Sequence, residues 1–190
     1  GNLYLALAAS ITDDGQQLEY LDRAIMYLED ALAVFTRSFA PEHWVRLHIA
    51  LADALHGRQR GRSDDDRVQA IAHLEQALEG CLPDDEEGMY SDVNFKLGVL
   101  HLENNNGDDF HNAETALTYL DKALPSFTAE RVFIHKLQSA RAVALNRLRR
   151  WREAHEALVV ARTFWHEVME YLNRDLRVRP KMGNRQPVCT

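Results

Sequence analysis

Alanine and leucine recur at helical spacing in four segments of the chain. The segments begin at Ala24, Ala70, Ala116 and Ala154. Each has a small residue at its first and eighth positions and a leucine at its fifth, so the three positions follow i, i+4 and i+7 and lie on one side of a helix. Because alanine is small, this stripe predicts that a second helix approaches closely. We therefore expect Ala31, Ala77 and Ala123, the eighth positions of the first three segments, to be buried.

The segments follow one another at 46, 46 and 38 residues, which indicates an internal repeat. A partner helix precedes each stripe: Ala52 lies 18 residues before Ala70, and Gly98 lies 18 residues before Ala116. One period before Ala52 is Ala6, so the first hairpin is expected to start inside its own first helix. Each repeat is thus predicted to be a pair of helices.

The pattern predicts an all-α chain. The expected helices are 2–10, 17–38, 42–57, 67–81, 89–104, 112–126, 130–148 and 151–173. No segment alternates with period two, so strands are not expected. The residues expected between helices are Gly15, Gly57, Gly61, Gly88, Gly107 and Pro83, with Pro41 in a first helical turn. Residues 1–173 are expected to form one helical repeat domain of about four hairpins, and 174–190 a basic tail.

The last hairpin, from Ala142 through Trp151 to Ala161, resembles a tetratricopeptide repeat, although Arg141 stands where a leucine is usual. The linker Phe39-Ala-Pro41-Glu42-His-Trp44 and the acidic loops are similar to the longer repeats of bacterial arrays. Such arrays resemble the sensor part of proteins with a caspase-like CHAT peptidase domain. The resemblance implies a right-handed superhelical array of antiparallel helix hairpins, a TPR-like α-solenoid, over about residues 3–165.

Charge is distributed unevenly along the chain, whose formal net charge is −7. Residues 1–130 carry 24 acidic and 9 basic side chains, whereas 131–190 carry 5 and 13. The acidic runs are expected to be solvated loops; they are Asp13-Asp14, Asp64-Asp65-Asp66, Asp84-Asp85-Glu86-Glu87 and Asp108-Asp109. The apolar run Leu3–Ala9 is too short to cross a bilayer and lacks the features of a signal peptide, so no membrane association is expected. Two cysteines make no disulfide framework, which favours a cytoplasmic location.

The chemistry-bearing residues do not form an enzyme motif. The segment His166-Glu167 with Glu170 lacks the second histidine of a zinc protease motif. Four other histidines are expected at the surface or in a groove: His43, His48, His56 and His101. The segment 103–109 is interpreted as a helix end and turn. When Gly107 is placed at the sixth position of a calcium-binding loop, the residues at the first and last positions of that loop have no side chain that could bind calcium. The basic tail lacks interleaved aromatic residues, so nucleic-acid binding is not expected. We predict no enzymatic activity, no cofactor and no metal.

The predicted function is a scaffold that binds a protein or peptide in its concave groove. The alternative is the regulatory part of a larger CHAT-like peptidase whose catalytic domain lies outside this chain, and a third possibility is end-to-end self-assembly. The resemblance implies that the first helix of each hairpin lines the groove. The groove residues expected from it are Arg46, Ile49, Asp53, His56, Asp92, Phe95, Val99, Leu102, Lys136, Ser139, Val143 and Asn146. Phe95, Val99 and Leu102 would form an apolar centre suited to a large apolar anchor. Alternatively, Phe95 packs against a neighbouring helix, or the chain's own C-terminal helix fills the groove.

Overall fold

The computed structural model describes residues 1–11, 13–59, 64–81, 88–104, 107–127 and 131–178. Eight α-helices cover nearly all of these residues, and no strand occurs among them. The helices are α1 Asn2–Ser10, α2 Asp14–Val34, α3 Pro41–Gln59, α4 Asp64–Gly80, α5 Met89–Glu103, α6 Asp109–Phe127, α7 Arg131–Arg147 and α8 Trp151–Val178. The all-α prediction is therefore confirmed for the described part of the chain.

Helix ends follow local capping chemistry. The Asp13 side chain accepts a hydrogen bond from the Gln16 backbone N–H at 2.8 Å, so α2 begins earlier than the predicted residue 17. The helix also stops at Val34, before the predicted residue 38, because a turn at residues 37–39 redirects the chain. Pro41 then opens α3, where its missing N–H costs no helical hydrogen bond, as predicted.

The acidic run at residues 64–66 is not a solvated loop, so that prediction is wrong. α4 begins at Asp64, before the predicted residue 67. Asp66 is buried because its carboxylate accepts two hydrogen bonds from the Arg58 guanidinium of α3.

Two of the glycines expected between helices lie inside them instead. Gly15 is in the first turn of α2, and Gly57 is in the last turns of α3, so those two predictions are wrong. A single glycine costs a helix only about 1 kcal/mol, which tertiary packing readily outweighs. Gly88 and Gly107 do lie between helices, with φ of 68° and 97°. Gly61 and Pro83 lie outside the described residues.

Consecutive helices pack antiparallel. Gly80, at the end of α4, faces Val45 near the start of α3, and the terminal Asn104 after α5 accepts a hydrogen bond at its carbonyl from Asn112 of α6 at 3.1 Å. In the same way the Gln17 side chain of α2 donates to a carbonyl at the end of α1. The closest pairs are α3 with α4, α5 with α6 and α7 with α8, and α5 also contacts α7.

The repeated stripe is the core of these pairs. Ala24, Ala70 and Ala116 are all fully buried, as are the leucines four residues after each. The fourth segment differs, because Ala154 and Ala161 are buried but Leu158 between them is 52% exposed. One buried cluster draws on α1 to α5 and a second on α5 to α8, so α5 joins the two. Ala77 and Ala123 are buried as predicted. Ala31 is only half-buried in the last turn of α2, so the prediction for that position is wrong.

The last helix is longer than the pattern indicated. Nothing in the sequence breaks a helix between Leu172 and Arg179, and α8 accordingly continues past the predicted residue 173 to Val178. The rest of the predicted basic tail, residues 179–190, lies outside the described residues. Within the described helices, none is both long and apolar enough to cross a membrane.

Candidate binding cleft

A cleft of about 200 Å³ lies between the first helices of the second and third hairpins. Asp53 and His56 of α3 line one wall, and Phe95 and Val99 of α5 line the other. These are four of the predicted groove residues, which the structure brings together although they are about one repeat apart in sequence. The remaining lining residues are Ala52, Leu74, Lys96 and Leu100. The cleft therefore has an apolar floor and a polar rim.

Ion pairs across the rim join the two helices. The Lys96 ammonium lies 2.6 Å from a carboxylate oxygen of Asp53 and 3.7 Å from one of Asp92. Burial opposes the charge on Lys96, but the two carboxylates outweigh it and raise the pKa of the lysine. Burial raises the pKa of Asp92, and Lys96 offsets part of that effect. Lys96 thus holds two acids of the rim in place.

A second rim contact lies one turn further along α3 and two turns further along α5. The His56 imidazole Nε2 is 2.7 Å from a carboxylate oxygen of Glu103, and both side chains are partly exposed. Asp53, Asp92 and Glu103 place three carboxylates around the cleft, and Lys96 is the lysine that contacts two of them. The rim therefore carries an excess of carboxylates over lysines.

Leu102 does not belong to this surface. It was predicted as part of the apolar centre, but its side chain is only 7% exposed and packs in the second core cluster. Its carbonyl also accepts a hydrogen bond from the Arg147 guanidinium of α7 at 2.7 Å. Position 102 points into the protein because α7 packs against α5 there. Phe95 and Val99, which are half-buried, form the apolar part of the cleft without it.

The two remaining predicted residues of α3 lie elsewhere along the helix. Arg46 lines a separate cavity of about 140 Å³ with Asn2, and its guanidinium pairs with Glu42 on the same helix at 3.2 Å. Ile49 is half-buried against the first core cluster. Neither residue lines the cleft between α3 and α5, since that cleft lies further toward the end of α3.

The predicted residues of α7 are exposed but are not part of the cleft. They are Lys136, Ser139, Val143 and Asn146. The Lys136 ammonium lies 5.7 Å from the centre of the Phe133 ring on its own helix. Val143 is 47% exposed, which leaves it accessible on the outer surface of α7. The structure therefore brings together the predicted sites of α3 and α5 and leaves those of α7 apart.

Lys96 and Glu103 are the rim residues that the sequence did not predict, and Lys96 makes more of the rim contacts. It contacts both Asp53 and Asp92 and lines the cleft. The spacing of Asp92 and Lys96, i and i+4, is typical of an ion pair along one helix face and could have identified it. Its contact with Asp53 depends on how α3 and α5 pack, which no spacing within one helix indicates.

Histidines in this part of the chain are more buried than predicted. His48 was expected at the surface or in a groove, but it is 8% exposed. His101 stacks on Tyr119 at 5.6 Å, and its Nε2 is buried without a hydrogen-bond partner. Nowhere in the described ranges do three or more histidine, cysteine or acidic side chains form a group that could hold a metal.

The cleft contains no nucleophile with an adjacent base. It offers an apolar pocket the size of one large side chain, a polar rim of ion pairs and an excess of carboxylates. Such an arrangement can recognise a side chain by shape and its flanking charges by attraction. No protein-family model matches the sequence, and no curated protein matches it.

Proposed function

We propose that the chain is a tetratricopeptide-like interaction module, a right-handed solenoid of helix hairpins that binds a peptide or a partner helix. Three observations support the architecture. The 46-residue repeat recurs as equivalent buried alanines and leucines, consecutive helices pack antiparallel, and α5 contacts the first helix of the next hairpin. A concave groove requires that the first helices of successive hairpins line the same surface.

The apolar surface of the cleft between α3 and α5 supports the proposal that a partner binds there. Phe95 and Val99 are half-buried, so each keeps some apolar surface in contact with solvent beside the floor formed by Leu74 and Leu100. An apolar side chain of a partner would cover this surface and gain roughly 25 cal/mol for each Å² removed from water. The cleft therefore fits a partner segment with one large apolar anchor.

The charged side chains of the rim favour a partner of opposite charge. The carboxylates of Asp53, Asp92 and Glu103 are 45%, 44% and 46% exposed, whereas Lys96 is 25% exposed and already contacts two of them. A lysine or arginine next to the anchor would meet carboxylates that are partly exposed to solvent and outnumber the lysine between them. An acidic segment would be repelled. We infer that the partner carries basic residues beside its apolar anchor, as in a basic amphipathic helix.

Selection from a random peptide library against the immobilised chain tests the proposal. We expect selected peptides to share a large apolar residue flanked by lysine or arginine. Val99→Glu should weaken their binding by at least tenfold, because it places a charge on the apolar wall of the cleft. Titration of a fluorescent selected peptide into each variant measures the effect.

Val68→Glu is the matched control, since Val68 is 64% exposed on α4 and does not line the cleft. That variant should bind the peptides as the parent chain does. Selected peptides that bind Val99→Glu with undiminished affinity would place the binding surface elsewhere. Failure to enrich any peptide above an unrelated protein would count against a peptide-binding function.

A further inference from the structure

Two carboxylates of the cleft rim converge on one point. Asp53 of α3 and Asp92 of α5 each place an oxygen near the Lys96 ammonium, at 2.6 and 3.7 Å. The two acids come from different helices, so only the packing of α3 against α5 brings them together. A cation at this point is attracted by both carboxylates at once, because their fields add.

The same point lies beside the apolar wall of the cleft. Lys96 is one residue from Phe95 and about one helical turn from Val99, and all three line the cleft. A partner side chain that covers this wall therefore brings the partner's neighbouring residues within reach of the two acids. Glu103, the third carboxylate of the rim, lies seven residues further along α5, roughly 10 Å away, and already contacts His56.

Lys96 carries its charge on a flexible side chain. Burial opposes that charge, but the two carboxylates outweigh burial and raise the pKa of the lysine, so the ammonium is charged at neutral pH. The side chain is 25% exposed, and a lysine ammonium is a compact charge on a flexible four-carbon stem. Its end can thus turn toward solvent when another cation approaches the two acids.

We propose that Lys96 is an internal competitor for a basic residue of the partner, because it occupies the place between Asp53 and Asp92 that such a residue would take. This inference rests on the proposed function. An incoming cation is repelled by the Lys96 ammonium or must displace it, so charge alone binds weakly. The partner consequently needs its apolar anchor, and Lys96 discriminates against segments that are merely basic.

Titration of a selected peptide into the parent and into Lys96→Gln tests the competition. The variant should bind a basic peptide more tightly by roughly fourfold, the effect in water of removing one unit charge about 5 Å from another. The same peptide with its basic residue replaced by glutamine should show no gain, which completes a double-mutant cycle. The titrations are run at pH 8, because Lys96 lowers the pKa of Asp92 and its loss must not leave that carboxylate protonated.

Two variants serve as controls. Lys96→Arg keeps the positive charge and should bind the basic peptide with nearly the parent's affinity. Lys136→Gln removes the same charge from α7, outside the cleft, and should also bind as the parent does. Far-ultraviolet circular dichroism shows whether each variant keeps its helices. If Lys96→Gln unfolds, Lys96→Met replaces it, since methionine keeps an apolar stem without the charge and should give the same gain.

The outcomes separate this inference from the proposed function. Selected peptides that bind Lys96→Gln no more tightly than the parent, or that gain equally with and without their basic residue, would overturn the competition and leave peptide binding intact. Weaker binding by Glu103→Gln without a gain in Lys96→Gln would place the partner's cation at Glu103 instead. The library is also selected against Lys96→Gln. Peptides that only this variant enriches would support the competition, whereas failure of both chains to enrich any peptide would overturn both proposals.

Discussion

The imidazole Nδ1 atoms of His48 and His73 lie 3.0 Å apart and join α3 to α4. The edge of the Trp44 indole covers His48, with ring centres 4.4 Å apart. A hydrogen bond between two Nδ1 atoms needs a proton on one ring and a free lone pair on the other, so the two rings cannot both be cationic there. Burial, and then the neighbouring His73, lower the pKa of His48 to about 4. Burial also lowers the pKa of His73, although Glu29 partly opposes it.

Stability should therefore decrease on mild acidification. His48 has a pKa near 6.5 in the unfolded chain and about 4 in the folded one, so the unfolded state binds more protons between these values. The contribution is present above pH 6.5 and is lost as the pH falls toward 4, by on the order of 3 kcal/mol. Urea unfolding at a series of pH values measures it.

His48→Gln should flatten this pH dependence, because glutamine can still hydrogen-bond to His73 but does not titrate. His43→Gln, at an exposed histidine of the same helix, is the control and should keep the parent's pH profile. An unchanged profile in His48→Gln would show that other groups cause the acid sensitivity.

Gly98→Ala should destabilise the chain. A Cβ at Gly98 would lie 2.6 Å from the Leu120 side chain and 3.2 Å from the Ala116 carbonyl oxygen, so α5 and α6 would have to separate. Overpacking of this kind costs about 1–3 kcal/mol, more than the roughly 1 kcal/mol that alanine gains in helix propensity. Gly57→Ala should be neutral or stabilising, since its Cβ would meet Leu21 at an ordinary 3.4 Å. Thermal melts of the two variants should therefore shift in opposite directions, or at least differ clearly.

Arg58 should be sensitive even to replacement by lysine. Its guanidinium forms two hydrogen bonds to the buried Asp66 carboxylate, at 2.9 and 2.7 Å, and a third to Asp22 at 2.9 Å. Lysine cannot reproduce this planar, forked contact across three helices. We expect Arg58→Lys to cost about 1.5–3 kcal/mol in urea unfolding. Arg46→Lys, in an exposed pair on one helix, should change stability by less than about 0.5 kcal/mol; equal costs would refute the explanation.

Equivalent positions of the repeat should respond unequally to a larger side chain. Ala77→Leu fills a fully buried site between α3 and α4 and should cost about 1–3 kcal/mol. Ala31→Leu occupies the corresponding place in α2 but is half-buried, so its side chain can extend toward solvent and the cost should be smaller. Denaturation midpoints measured side by side give the comparison, and a larger cost at Ala31 would contradict it.

Most of the helices could be predicted from the sequence because the information is local. Alanine and leucine at i, i+4 and i+7 define the buried side of α2, α4 and α6, and the recurrence at 46 residues shows which segments are equivalent. In α8 the same spacing predicted burial of Leu158 wrongly, since that side chain is 52% exposed. That reasoning located the buried Ala77 and Ala123 correctly. The family resemblance, and not the periodicity, implied that Asp53 and Phe95 line a common groove, and both do line one cleft. Helix ends were less accurate, since they depend on single caps such as Asp13.

Contacts between helices were decided only by the tertiary structure. Leu102 has the same spacing as the residues of the cleft, yet α7 covers it, and only the packing of α7 on α5 shows this. The ion pair of Asp53 with Lys96 and the contact of His48 with His73 likewise join residues 43 and 25 positions apart. Helical periodicity determines which residues share a side of one helix. Which neighbour covers that side depends on the relative rotation and distance of whole helices, and these follow from packing the entire core.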